Sequence, residues 1–188
     1  MSKHHRNRNW APAPQPLPED AHVIDNHTHV ASVVPFSQAM SHEAMEKGQG
    51  EVPVYSVDEL LEQAQKVGVE GVIDCGCELP NLMTAIDMAR EHPGTVHAAI
   101  AIHPNEAVLH GHRGAPGPDG LPIKYKPWHD IPFDEAMAEV HRLATTYPNQ
   151  VVAIGETGMD LFRTGESAKE LQREAFRAHR SEERRVGK

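Results

Sequence analysis

The sequence predicts an α/β protein built on a parallel sheet, from three observations. Short apolar runs that read as strands alternate with longer runs of helical period, four times in succession. Most of those strand runs are apolar on both faces, as strands covered by helices on each side are. Polar, titratable residues gather at the C-terminal ends of the strands, the side on which such folds carry their sites. Four βα units fit either an open doubly wound sheet or half of a (β/α)₈ barrel, and pattern alone does not choose between them.

Taken in order, residues 1–20 read as an irregular, disordered arm, because "APAPQPLPED" holds four prolines and favours extended chain. "HVIDNHTHV" is the first strand. "SVDELLEQAQKVG" is a helix, with Ser56 or Asp58 to cap it, Val57, Leu60, Leu61 and Ala64 on one face, and Gly68 as its stop. "VEGVIDCG" is the second strand and "LPNLMTAIDMAREHPG" the second helix, entered at Pro80. "TVHAAIAIHP" is the third strand. "FDEAMAEVHRLATTYP" is a helix with an acidic first turn. "NQVVAIGETGMD" is the fourth strand, and "SAKELQREAFRAHR" opens a further helix. Two insertions, "AMSHEAMEKGQGEVPVYS" and "HGHRGAPGPDGLPIKYKPWHDIP", follow strands one and three, and the second reads as a lid or rim loop or else as a tolerated surface insertion.

At 188 residues the chain is long enough for one domain with its own core. The longest apolar runs, such as "HAAIAI", are too short to span a bilayer, so no membrane association is expected. No apolar segment follows "MSKHHRNRNW", which predicts no secretory signal and a cytoplasmic address. The two cysteines, Cys75 and Cys77, are too close to form a structural disulfide and suit a reducing compartment as small residues at a strand end. The net charge of −9 argues against unspecific attraction to nucleic acid, and residues 11–168 hold 8 Lys and Arg against 23 Asp and Glu. A phosphate-bearing substrate would therefore need bound metal and a local basic patch. Of the 14 histidines, His4, His5, His110, His112 and His129 lie in polar or Pro/Gly-rich surroundings and read as incidental.

The others carry the chemistry. Asp25, His27 and His29 fall on every second position, so a strand sends them to one face. A buried face of three titratable groups is satisfied most readily by a metal ion, with His27 and His29 as ligands and Asp25 one step deeper as an acceptor that orients one of them. Glu156 follows the apolar run "VVAIG", where a carboxylate needs a cation partner, either a metal or a salt bridge. Gly155 and Gly158 bracket Glu156 and Thr157 and allow a sharp turn close to a ligand. Asp160 is placed to hold that loop. Arg163 could meet a phosphate or simply be solvated, and His103, at the end of strand three, could bind substrate, pass a proton or bond to loop backbone. With no GxGxxG, Walker or GxSxG signature, hydrolysis by metal-activated water leads over a covalent route.

These residues resemble the TatD family of metal-dependent deoxyribonucleases, a branch of the amidohydrolase-like barrel enzymes. "IDNHTHV" matches the family's D-x-H-x-H opening, "AIHPNEA" its G-x-H-P-H segment and "AIGETGMDLFR" its G-E-x-G-L-D block, while "LQREAFRAH" resembles the Q-x-x-x-F-x-x-H helix that follows. The resemblance spans about Val23 to His179. It implies a (β/α)₈ TIM-barrel type of fold, here its first four to five βα units, and two divalent ions, of which His27 and His29 hold one and Glu156 bridges both. It further implies cleavage of phosphodiester bonds in DNA, with Glu156 and His103 catalytic, Asp25 and Asp160 behind the ligands, and His103 and Arg163 on the substrate side. His and carboxylate donors suit Zn, Mn or Co, with Mg also open. No obligate protein partner is implied for the full-length enzyme.

The sequence departs from the pattern at Ala101 and Asn105, which replace the Gly and second His of G-x-H-P-H. The family's two later His ligands and late Asp come from strands beyond Glu156 that are not in this chain. After "AFRAH" comes "RSEERRVGK", with six charged residues in nine, read as a foreign tail on a truncated frame or else as a solvated helix end. The expected division is thus an arm at 1–20, a partial barrel at 21–179 and a charged tail at 180–188. Such a half-barrel would expose apolar interior, hold metal weakly and be weakly active or inactive. Two further readings stay open: a small-molecule amidohydrolase-type enzyme, and a non-catalytic fragment that needs a partner half.

Overall fold

The computed structural model describes residues 16–18, 20–49, 53–113 and 123–188. Most of the proline-rich arm and the middle of the second insertion lie outside these. The chain divides into two compact units, one of residues 1–24 with 32–70, the other of residues 25–31 with 71–188.

Four strands form one sheet in the order β1-β2-β3-β4: β1 Val23–Thr28, β2 Val69–Gly76, β3 Val96–Ile100 and β4 Val151–Ala153. β2 and β3 pair in parallel from Val72 opposite Val96 to Gly76 opposite Ile100. β3 and β4 also pair in parallel, with an irregularity between Ala98 and Ala99. This is the predicted α/β architecture of consecutive parallel strands, each followed by helix, as in the units of a (β/α)₈ barrel.

In the first unit, α2 (Val57–Lys66) starts where predicted. The Ser56 hydroxyl accepts from the Glu59 N–H at 3.2 Å, and the Glu59 carboxylate accepts from the Ser56 N–H at 2.7 Å, a reciprocal cap. The end of the arm is tied down here: the Leu17 N–H donates to the Val67 carbonyl at 2.8 Å. The first part of the insertion after β1, residues 39–46, is helical. The helix α1 runs Val30–Glu46 through Pro35, a residue that argues against helix in the sequence.

In the second unit, the one-turn α4 (Pro104–Ala107) follows β3, and α3 (Leu79–Glu91), α5 (Phe133–Thr146) and α6 (Lys169–Val186) carry the apolar faces their periodicity predicts. Leu82 and Ile86 of α3, Val96 and Ile100 of β3, and Val140 and Leu143 of α5 are nearly inaccessible and form the core. Leu82→Ala there would cost about 2–5 kcal/mol. α3 approaches so closely that a Cβ on Gly76 would lie 2.7 Å from the Asn81 carbonyl oxygen, so the last residue of β2 has to be glycine.

Three expectations change. The face of β1 that carries Asp25 and His27 is exposed rather than buried. β4 stops at Ala153, three residues short of Glu156, which therefore sits on a loop. Residues 180–186 continue α6 as a helix, in which Glu182 is buried and accepts from His141 Nδ1 at 2.5 Å. Among the described residues no helix is long and apolar enough to cross a membrane.

Candidate metal centre

The site stands at the C-terminal ends of the strands, all within the second unit. His27 lies near the end of β1 and His29 just beyond it. Asp74, buried at the end of β2, accepts from the Ala31 N–H at 3.4 Å and so anchors the first turn of α1 directly after His29. Burial holds the Asp74 carboxyl above the usual range, against the pull of the Ala31 and Val30 amides. The ring of His29 is oriented by β2: its Nδ1 lies 3.2 Å from the Cys75 carbonyl. A carbonyl only accepts, so Nδ1 carries the proton and Nε2 carries the lone pair.

That lone pair points at Glu156, whose Oε1 lies 3.5 Å from His29 Nε2 and in direct contact with His27 Nε2. The two imidazoles meet edge to face, 5.3 Å apart. One donor atom from each of His27, His29 and Glu156 lies within 4.8 Å of the others, the set that can hold one metal ion. Two imidazoles and a carboxylate, each partly exposed, satisfy the fit: three protein donors and open directions toward solvent, as catalytic sites have. Asp25 touches this set through the backbone, its Oδ1 accepting from the His27 N–H at 3.1 Å.

His103 faces the other carboxylate oxygen, with Nε2 3.4 Å from Glu156 Oε2. Its Nδ1 accepts from the Asn105 N–H at 3.1 Å, which leaves the proton of the neutral ring on Nε2. A cavity of about 390 Å³ opens here, lined by His29, His103, Glu156, Asp160 and Arg163 among others. Arg163 is exposed, its guanidinium 5.7 Å from the Phe162 ring.

Asp160 and Asn105 form a strut behind the cavity. Asn105 Nδ2 donates to Asp160 Oδ2 at 2.8 Å, and the Phe162 N–H donates to Asp160 Oδ1 at 2.9 Å. Gln172, fully buried on α6, holds the same loop: its Oε1 accepts from the Asp160 N–H at 2.9 Å, and its Nε2 donates to the Asp160 carbonyl and the Thr164 hydroxyl, each at 2.7 Å. One α6 turn pair further on, buried His179 accepts the Ile102 N–H on Nε2 at 3.0 Å and donates from Nδ1 to the Ala175 carbonyl at 2.7 Å. Burial holds the His179 ring below its usual pKa. The helix α6 thus fastens both the β3 end that carries His103 and the loop that carries Glu156.

Sequence reasoning missed several participants. Cys77 lines the cavity, and burial, with the nearby Glu156 charge, pushes its thiol up to about 12. Cys75 is pushed up to about 11 for the same two reasons. Glu78 and Glu106 also line the wall, and burial and their mutual repulsion raise the Glu78 carboxyl. His110 and His129, read as incidental, are both buried: Glu106 Oε2 accepts from His129 Nε2 at 2.7 Å and from Trp128 Nε1 at 3.2 Å, and His110 Nδ1 lies 2.8 Å from the Ile131 carbonyl.

Comparison with known proteins gives a consistent set. The model of the family described as TatD related DNase matches residues 24–187. An uncharacterized metal-dependent hydrolase TatD of Mycobacterium tuberculosis is 31% identical over 137 residues, covering 71% of this chain and 42% of that protein. A protein of Erwinia tasmaniensis named 3'-5' ssDNA/RNA exonuclease TatD is 29% identical over 121 residues, covering 64% and 37%. The crystal structure of a hydrolase TatD family protein from Entamoeba histolytica superposes with a TM-score of 0.56 at 20% identity, over 87% of this chain and 46% of that one. The chain spans about two fifths of the length of the curated relatives it matches.

Proposed function

The chain belongs to the TatD related DNase family, whose members include metal-dependent hydrolases, and from that premise we propose that its site serves the hydrolysis of phosphodiester bonds in nucleic acid. The observation that carries the reading is the convergence of His27 Nε2, His29 Nε2 and Glu156 Oε1, with His103 across the carboxylate. His27, His29 and Glu156 would hold a divalent ion. A divalent ion bound there supplies an ionised water at neutral pH and charge compensation for the phosphate.

The residues of the chain do the rest. The Cys75 carbonyl keeps the His29 lone pair on the ligand side. Glu156, held by the loop that Gln172 clamps, fixes the donors relative to His103. His103 carries its proton on Nε2, facing the cavity, where it can donate a hydrogen bond to an oxygen of the scissile group. Arg163, on the same loop as Glu156, offers a fork to a phosphate at the mouth. The name of the Erwinia relative supports single-stranded DNA, and RNA beside it, as substrates.

The test begins with metal. Purified chain should retain near-stoichiometric divalent metal by elemental mass spectrometry and lose it in a His27→Ala/His29→Ala variant. A single-stranded oligonucleotide should then be cleaved by the loaded protein and spared after chelation. Equal metal in chain and variant would remove the basis of the reading. Retained metal with no phosphodiester cleavage, but turnover of small amides or esters, would replace it by an amidohydrolase-type function.

A further inference from the structure

Residues 11–168 hold 8 Lys and Arg against 23 Asp and Glu, yet two of those few cations are tied to one cavity. Arg163 lines it on the Glu156 loop. Lys126 is joined to its wall from the insertion after β3, with Lys124 two residues earlier in the chain. The link is geometric. Glu106 in the cavity wall accepts from His129 and Trp128, and His129 Nδ1 in turn accepts from the Lys126 N–H at 2.9 Å. The turn Pro127–Asp130 is thereby bolted to the wall, and the Lys126 charge reaches Glu78 in the same wall.

Between the two lysines stands Tyr125. Its ring packs on His112 at 4.4 Å and meets His129 at 6.1 Å, which fixes it, yet the residue remains 41% exposed. Both lysines are exposed, and the backbone at Lys126 is extended. The cavity wall itself carries Glu78, Glu106, Glu156 and Asp160. An isolated phosphate is therefore poorly served inside, whereas the cations and a held aromatic ring lie along the lip. That arrangement suits a ligand with several phosphates and exposed rings, which is a single strand of nucleic acid: backbone-tracking cations with a stacking platform.

We propose that Lys124, Tyr125 and Lys126 form a docking lip for single-stranded nucleic acid, with strand phosphates on the two ammonium groups and a base on the Tyr125 ring. The lip determines which phosphodiester enters the cavity. This inference rests on the phosphodiesterase reading of the site.

The test is fluorescence anisotropy of a labelled single-stranded oligonucleotide, with metal-loaded protein held non-cleaving by a phosphorothioate backbone, over a salt series. Lys124→Gln/Lys126→Gln should lower the slope of log K against log salt by about 1.4, about 0.7 per lost phosphate contact. Tyr125→Ala should weaken binding roughly ten-fold. Tyr125→Phe should restore it, and an abasic oligonucleotide should erase the difference between Tyr and Ala. Metal content should be the same in all variants, since none of these side chains is a ligand. Wild-type binding with unchanged slope and affinity in the variants would overturn the lip alone. A wild-type chain that holds metal and binds no oligonucleotide would overturn the nucleic-acid reading of the site, and the lip with it.

Discussion

His27, His29 and Glu156 on one side, and His110, His129 and Glu106 on the other, set the same three side-chain types in the same compact unit. Even the ring geometry is alike: 5.3 Å and 85° between the first pair, 5.8 Å and 75° between the second. The protons make the difference. His29 gives its Nδ1 proton to a carbonyl and turns a lone pair toward Glu156, while His129 accepts a backbone N–H on Nδ1 and gives its Nε2 proton to Glu106. His110 donates from Nδ1 to the Ile131 carbonyl at 2.8 Å, and its Nε2 is buried without a hydrogen-bond partner among the described residues. The first set brings its donor atoms to one point within reach of solvent; in the second, the Lys126 N–H takes the His129 lone pair and the core shuts in that of His110. Residue type does not make a metal centre; the placement of protons and the route for water do.

The comparison breaks most visibly in metal content. His27→Ala/His29→Ala should take bound metal from near-stoichiometric to background, while His129→Ala leaves it in place; loss of metal in both, by elemental mass spectrometry, would mean the two sets are not distinct. The carboxylates separate next. Glu156→Gln should weaken metal by about 10–100-fold, a loss of the size seen even for outer-shell groups, with little change in unfolding midpoint. Glu106→Gln should do the reverse: metal retained, and stability lowered by roughly 1–3 kcal/mol in urea unfolding, because charge-assisted bonds to His129 and Trp128 weaken.

The buried set also has a pH signature. Burial lowers the pKa of both His110 and His179. For such groups the unfolded chain binds more protons, so their stabilisation is complete above the unfolded value of about 6.5 and is lost as pH falls below it. The free energy of unfolding in urea should therefore drop between about pH 7 and 5, by up to about 1.4 kcal/mol per pH unit for each group, and His110→Phe should flatten that slope. A midpoint independent of pH in this window would show that neither ring is held neutral. The smallest expected effect lies behind the first set. Asn105→Ala removes the donor to Asp160 and should weaken metal only a few-fold, roughly the lower end of outer-shell effects, by competition with a chromogenic chelator.

Much of this was legible in the residues. Period-two placement of His27 and His29, and a carboxylate directly after an apolar strand, pointed to the cluster the structure brings together. The Ser56 and Glu59 spacing marked the start of α2. What was not legible depends on partners far along the chain. His129 reads as surface in "KPWHDIP" because nothing local says that Glu106 will receive its proton. The helix through Pro35 is started by Asp74, on a neighbouring strand rather than in the helix's own sequence. Gln172 and His179 registered as a helix motif, but which loops they hold follows from the packing of α6, which periodicity specifies only as a face.

One bond in that packing has a use of its own. Ile102 lies past the end of β3, and its N–H is taken by a side chain of α6 instead of by a strand. Its exchange with deuterated solvent is consequently blocked only while α6 is docked. The Ile102 amide is a built-in clock for that docking. Its protection, compared with that of Ala98 inside the sheet, reads how often the two loops of the site come loose together while the strands beneath them stay paired.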